Sequence, residues 1–334
     1  MPPTMAIIAT MANTEKRMSE AAPGQRLGIL TGSWPLGMPP DGGFYRDLAR
    51  QVEDLGYDLL FHGDHLFMYN PNPDALMVLS HMAACTRRVL LGTGVLLPAL
   101  REPAVMAKQI ATLDYLAGGR LVLGVGVGGE VEQEWAAMQV PRETRGARTD
   151  EYLELMRQLW SGETVAHQGR FRSVAGVRGT PSPYQPGGPP VWVGGRGGAS
   201  LRRATRHQGW IPYAMSPRRV REGVTALKAM MGAPPAHFRI GYVLFAYVDE
   251  DEAHAKEMAG RVLGKRYAQD FDKLLGPICA IGTPAQVAAR VQEYREAGVQ
   301  DIIIIPQAPA EEYPQQIERL ARVLGVRAPR AHPQ

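Results

Sequence analysis

Three short stretches of this 334-residue chain combine reactive side chains with accessible backbone. In HGDH (62–65), His65 stands beside Asp64, a pairing suited to proton transfer at neutral pH. The plain alternative is a loop histidine bonded to neighbouring backbone. In GGRGGAS (194–200), Gly194, Gly195, Gly197 and Gly198 offer successive N–H groups, Arg196 adds a charge, and a helix opens near Ser200. That is the make-up of an anion cradle, and equally of a glycine turn whose helix is capped by Ser200. The third stretch, RLVLGVGVGGE (120–130), carries Gly124, Gly126, Gly128 and Gly129 in the spacing G-x-G-x-x-G and ends on Glu130. Letter for letter this fits the dinucleotide-binding fingerprint.

The elements that must carry these stretches decide between the readings. From Arg26 onward, apolar runs alternate with segments of helical period. The runs are LGILTG, YDLLFHGDH, RVLLGTGVLL, RLVLGVGVGG, PVWVGG, GWIPYA, FRIGYVLFAYV and VQDIIIIP, each followed by a helix. Near-continuous Val/Ile/Leu strands are those buried on both faces. Eight strand–helix units with right-handed crossovers predict an α/β fold, a single (β/α)8 TIM barrel with insertions after strands 4 and 7. The expected division is a disordered leader over 1–25, the barrel over 26–326 and a tail over 327–334. Within the first insertion, 161–189, TVAHQG and RFRSV predict a hairpin. That insertion and the segment 261–280 are candidate lids.

The fingerprint then fails as a Rossmann motif. Its glycine turn belongs in a first strand–helix unit, and three complete units precede this one. The acids at the required distance, Asp150 and Glu151, sit among Tyr152, Leu153, Met156 and Trp160 at helical spacing, so they ride on a helix.

In such a barrel, catalytic groups collect where strands end. Glycine at many of those ends clears side chains from one mouth and leaves room for a large flat ligand. Trp34, Phe67, Tyr69 and Trp135 are the expected substrate-pocket residues, and they make the mouth partly apolar. His62 is predicted to alternate into the barrel wall or interior, and His81 to be a structural residue on a helix. Cys85 and Cys279 have no metal or disulfide spacing and are read as buried apolar side chains. No metal is expected. A formal charge of +4 without a basic stripe argues against nucleic acid, and no apolar run is long enough to span a membrane. The apolar AIIATMA is too short for a signal peptide and has its basic residues on the wrong side, so a cytoplasmic location is expected.

Six stretches in register give the chain a family resemblance: LGYDLLFHGDHLF, RVLLGTGVLLPALREPAVMAKQIATLD, GGRLVLGVGVGGE, RGARTDEYLELMRQLW, PPVWVGG and GTPAQVAARVQEYREAGVQDIII. The chain resembles the bacterial luciferase-like flavin-dependent oxidoreductases over about 26–324. The resemblance implies a (β/α)8 barrel that binds FMN, or the deazaflavin coenzyme F-420, at the carboxyl ends of its strands. It implies that His65 is the catalytic histidine and that Asp64 contacts the flavin. Gly94–Val95 matches a non-proline cis peptide held against the isoalloxazine ring. Gly194, Gly195, Arg196, Gly197 and Gly198 match the loop that receives the cofactor phosphate, and Glu130 resembles an acid used in hydride transfer by deazaflavin members. Luciferase itself has an acid-His-His run where this chain has Asp64-His65-Leu66, so light emission is not implied.

Two activities follow as expectations. The first is a monooxygenase using reduced FMN and oxygen on a small organic substrate, with a separate flavin reductase as a partner. The second is a deazaflavin-dependent hydride transfer with His65 and Glu130 as acid and base. A non-catalytic flavin-binding subunit is the third reading, and a homodimer is the expected assembly.

Overall fold

Strand β1 (Arg26–Thr31) begins a parallel sheet that runs through β2 (Leu59–His62), β3 (Leu90–Thr93), β4 (Leu121–Val125), β7 (Val191–Gly194), β8 (Gly209–Ile211), β9 (Arg239–Val248) and β11 (Asp301–Pro306). Pairing of β8 with β9 and of β11 with β1 closes it. These are the eight apolar runs of the sequence, and the fold is the expected (β/α)8 barrel. The computed structural model describes residues 24–37, 39–129, 131–232, 234–267 and 276–328. Most of the expected leader, most of the expected tail, and Glu130 lie outside the described residues.

Both faces of each strand are buried, for the reason the apolar runs suggested. Side chains alternate along a strand. Leu30, Leu59, Phe61, Trp192, Phe245 and Ile303 fill the barrel interior. Their neighbours Ile29, Leu60, Leu244 and Ile304 face outward into the core beneath the helices. At the start of the strands, Asp301 is fully buried and receives Arg26 Nε at 2.6 Å and Arg239 Nη2 at 2.6 Å. Two guanidiniums around one carboxylate satisfy a charge that burial alone would not tolerate. The chemistry is left to the other end.

The helices begin and end where local chemistry dictates. Asp41 caps Gly42–Leu55 by accepting from the Phe44 N–H, and Gly56 ends it at φ 101°. Glu102 caps Pro103–Leu116, and the glycine pair Gly118–Gly119, at φ 63° and 77°, turns the chain out of it.

The first insertion forms the hairpin β5 (Thr164–Gln168) and β6 (Ser173–Arg178), antiparallel as expected. Its position does not suit a lid. Its turn is tied down by Glu151, whose carboxylate accepts from the N–H groups of Arg170, Phe171 and Arg172. Its return path is tied by buried Asp114, which accepts from the backbone and side chain of Gln185. No residue of 161–189 lines the cavity described below. The second candidate lid is not loop at its start: the helix Glu252–Tyr267 runs through 261–267, and residues 268–275 lie outside the described residues. The short strand β10 (Ala280–Gly282) then adds to the far end of β9.

Candidate functional site

A cavity of about 190 Å³ opens at the carboxyl ends of the barrel strands. Gly32, Gly63, Gly94, Gly126, Gly128 and Gly194 contribute backbone to its wall. The glycines keep neighbouring strands close and the wall flat. A Cβ on Gly126 would press into the Val95 side chain, and one on Gly124 would strike the Thr93 carbonyl oxygen. Gly124 is thus a packing glycine inside the wall, whereas Gly126 and Gly128 also line the cavity. The Gly94–Val95 peptide bond is cis, and both residues line the cavity. A flat, largely apolar wall of strand-end backbone is what an isoalloxazine-type ring requires, and these residues fit such a group.

His65 lines the cavity from the loop after β2. Its Nδ1 lies 3.0 Å from Glu134 Oε2, on the short helix Glu132–Ala137 that follows β4. The other oxygen of Glu134 accepts from the N–H of Leu66 at 2.6 Å and of Phe67 at 3.1 Å. Glu134 is 1% exposed. Burial works against its charge, but the bond from His65, the imidazole's field and the two N–H donors outweigh it and hold the carboxyl below its ordinary range. An imidazole whose Nδ1–H is held by a carboxylate keeps Nε2 as its basic nitrogen. Asn72 steadies the same loop by donating from Nδ2 to the His65 carbonyl at 3.2 Å.

Asp64 also lines the cavity, and it is tied to the next loop. It accepts from Arg101 Nη2 at 2.6 Å and from the Leu97 N–H at 3.1 Å. Arg101 also meets Asp74 at 2.9 Å. Burial pushes the Asp64 carboxyl up from its usual range, and Arg101 pulls against that shift.

The remaining expected residues divide. Gly194, Gly195 and Tyr69 line the cavity. Arg196, Gly197 and Gly198 stand outside it: the first two form an exposed turn, and Gly198 opens the helix Gly198–Ala204. Arg196 lies 5.2 Å from the ring centre of Tyr213, which is itself a cavity residue. Three of the four expected pocket residues are elsewhere. Trp34 is buried against Phe44, Tyr45 and Tyr313, with its indole N–H donated to the Tyr45 hydroxyl. Trp135 packs behind the wall among Leu97, Ala99 and Leu100. Phe67 is 51% exposed and does not line the cavity.

His62 is fully buried, bonded to the Thr31 hydroxyl at 2.6 Å, and burial lowers its pKa to about 4. His81 bonds the Gly42 carbonyl, away from the cavity. Among the described residues, no group of three or more His, Cys, Asp or Glu side chains could hold a metal ion. No described helix is long and apolar enough to cross a membrane.

Glu134 is the residue that sequence reasoning missed. The available signal was its position in EVEQEWAAM: it shares a helix face with Val131 and Trp135, both buried. An acid on the apolar face of a short helix needs a partner.

Comparison with known proteins places this geometry in a family. Residues 25–301 match the family of luciferase-like monooxygenases. The chain belongs to that family. Over 166 residues it is 37% identical to an F-420-dependent glucose-6-phosphate dehydrogenase of Kineococcus radiotolerans, covering 48% of this chain and 49% of that protein. An uncharacterized protein of Mycobacterium tuberculosis is 33% identical over 188 residues, 50% of this chain and 64% of the relative. The chain thus spans roughly half to two thirds of the curated relatives it matches. Among solved structures, the monooxygenase RslO1 of Streptomyces bottropensis superposes with a TM-score of 0.79 at 26% identity, covering 90% of this chain and 98% of that one. An F-420-dependent secondary alcohol dehydrogenase shares the fold at a TM-score of 0.75 and 17% identity, covering 91% and 99%.

Proposed function

We propose that the protein is an oxidoreductase that moves hydride between the deazaflavin coenzyme and the carbinol carbon of a small alcohol, or the reverse. The observation that carries this reading is the His65–Glu134 pair at the cavity wall. When bound, the coenzyme supplies a ring carbon that accepts or returns hydride. In the oxidation direction, His65 Nε2 takes the hydroxyl proton as the C–H electron pair leaves with its hydrogen, so that alcohol becomes carbonyl. Glu134 holds the imidazole in the tautomer that can accept that proton and stabilises the imidazolium formed. The glycine wall and Gly94–Val95 orient the ring, and the apolar lining excludes water. Gly194, Gly195, Arg196, Gly197 and Gly198 form the proposed phosphate-receiving turn. Asp64, held by Arg101, fixes the loop that presents His65. Glu130, outside the described residues, is carried forward as a second acid.

A second reading is a monooxygenase that uses reduced FMN and oxygen, with a separate flavin reductase supplying the reduced cofactor. The full-length likeness to RslO1 supports it. A homodimer in the cytoplasm is proposed for either activity.

Anaerobic mixing with each cofactor and a panel of small alcohols separates the readings. Deazaflavin reduction without oxygen, lost in His65→Ala, is the expected result. Product formed only with reduced FMN and oxygen would replace the hydride reading with the second one. Cofactor binding without turnover under either condition would leave a binding protein.

A further inference from the structure

Asn72, in the loop after β2, lines the cavity with only half of its amide engaged. Its Nδ2 donates to the His65 carbonyl at 3.2 Å, while its Oδ1 is buried and bonds no protein group among the described residues. The backbone on either side is pinned. The Pro71 carbonyl accepts from the Trp34 N–H at 2.9 Å, and the Pro73 carbonyl accepts from His62 Nε2 at 3.3 Å. Only the N–H end of the amide can serve the His65 carbonyl, so the side chain cannot turn over without losing that bond. The unbonded oxygen is therefore fixed in place.

The space beside that oxygen belongs to the cavity. A Cβ built on Gly32, a cavity residue just past β1, would lie 3.9 Å from Asn72 Oδ1 and 3.7 Å from the Gly63 backbone, with nothing closer. Oδ1 thus borders the opening that glycine leaves between the ends of β1 and β2. His65 stands on the same loop and lines the same cavity. A buried acceptor without a donor is costly, and a ligand that brings a donor removes the penalty.

We propose that Asn72 Oδ1 accepts a hydrogen bond from a second donor on the substrate, a hydroxyl or amino group on the carbon next to the carbinol. The substrate class is then a vicinal diol or amino alcohol, not a plain alkanol. The amide that carries Oδ1 is bonded to the carbonyl of His65 itself, so the two residues serve neighbouring points of one small molecule. His65 Nε2 takes the proton of the reacting hydroxyl, and Asn72 holds the group beside it. The identity of the reacting carbon rests on the hydride-transfer reading, whereas the acceptor can be read by binding alone.

Calorimetric titration compares matched pairs: isopropanol with propylene glycol, and cyclohexanol with its vicinal diol. The protein is loaded with the reduced coenzyme, which cannot take hydride, and a second titration uses the protein alone. Wild type should favour the diol of each pair by about tenfold in affinity, and kcat/KM should follow the same order. Asn72→Ala should bring the ratio close to one. Asn72→Asp, which keeps an oxygen at the acceptor position, should retain the preference. Gly32→Ala places a methyl group beside Oδ1 without a clash, and should lower the ratio while the bond to the His65 carbonyl stays. Melting temperatures check that each variant is folded. A purely structural role through the His65 carbonyl would slow both members of a pair alike, so a diol preference that survives in Asn72→Ala overturns the proposal. Wild type without a diol preference in either pair also overturns it. If coenzyme affinity then falls in Asn72→Ala, the acceptor belongs to the cofactor ring. A diol preference in binding, with no turnover of any alcohol, would strike the hydride reading and leave the Asn72 site standing.

Discussion

Glu134 Oε2 lies 3.0 Å from His65 Nδ1, across 69 positions of sequence. One carboxylate thereby fixes both the ring of His65 and the backbone of the two residues after it, through the Leu66 and Phe67 N–H groups. The loop after β2 and the helix after β4 are locked together by a buried charge with three donors. Such a charge is stable only while its donors are in place.

Glu134→Gln separates the two jobs. The glutamine carbonyl can still accept from Leu66 and Phe67, but its amide presents donors to Nδ1. Turnover should fall by about 100-fold, with cofactor affinity held within a few-fold. His65→Ala should match it. Steady-state kinetics beside a cofactor titration reads both, and a variant with wild-type kcat would take the pair out of the proton step.

Arg196→Ala tests the proposed phosphate turn. FMN should lose at least about tenfold in affinity while riboflavin is unchanged, since only the former carries the anion. Equal losses for both would show that Arg196 acts through its ring contact with Tyr213 instead.

Acidification should destabilise the protein in a defined window. Burial holds the pKa of His62 at about 4, below its ordinary 6.5. Between those values the unfolded chain takes up a proton that the folded chain refuses, so stability is full above about 6.5 and falls as the pH drops toward about 4. The loss is on the order of 2–3 kcal/mol. Urea unfolding at several pH values should show it, and His62→Gln should flatten that part of the slope. An unchanged slope would mean that His62 is protonated in the fold.

The glycines of RLVLGVGVGGE differ from those of GGRGG in what they protect. Gly124→Ala drives a methyl group into the Thr93 carbonyl and should cost about 1–3 kcal/mol. Gly197→Ala meets open space at an ordinary φ of −109°, so the change should be within about 0.5 kcal/mol. Comparing the two denaturation midpoints decides it.

The barrel was legible because its signals are local. Apolar runs such as DIIIIP and LVLGV are buried on both faces whatever surrounds them, and the glycine pair at 118–119 ends its helix by backbone conformation alone. Eight such units leave closure as the way to bury every strand. His65 and the strand-end glycines could be named for the same reason: a strand end follows from the strand. The pairing of His65 with Glu134 could not, because barrel closure, not spacing, sets the distance between loops of different units. Trp34 and Trp135 illustrate the same limit. Each lies near a strand end, but the path of its loop turned one toward Tyr45 and the other behind Leu97. The amino-acid order alone determined which elements form and where backbone is left open. Which side chains meet across those openings was decided by tertiary packing, because a side chain's direction beyond the strand depends on contacts from chain far away in sequence.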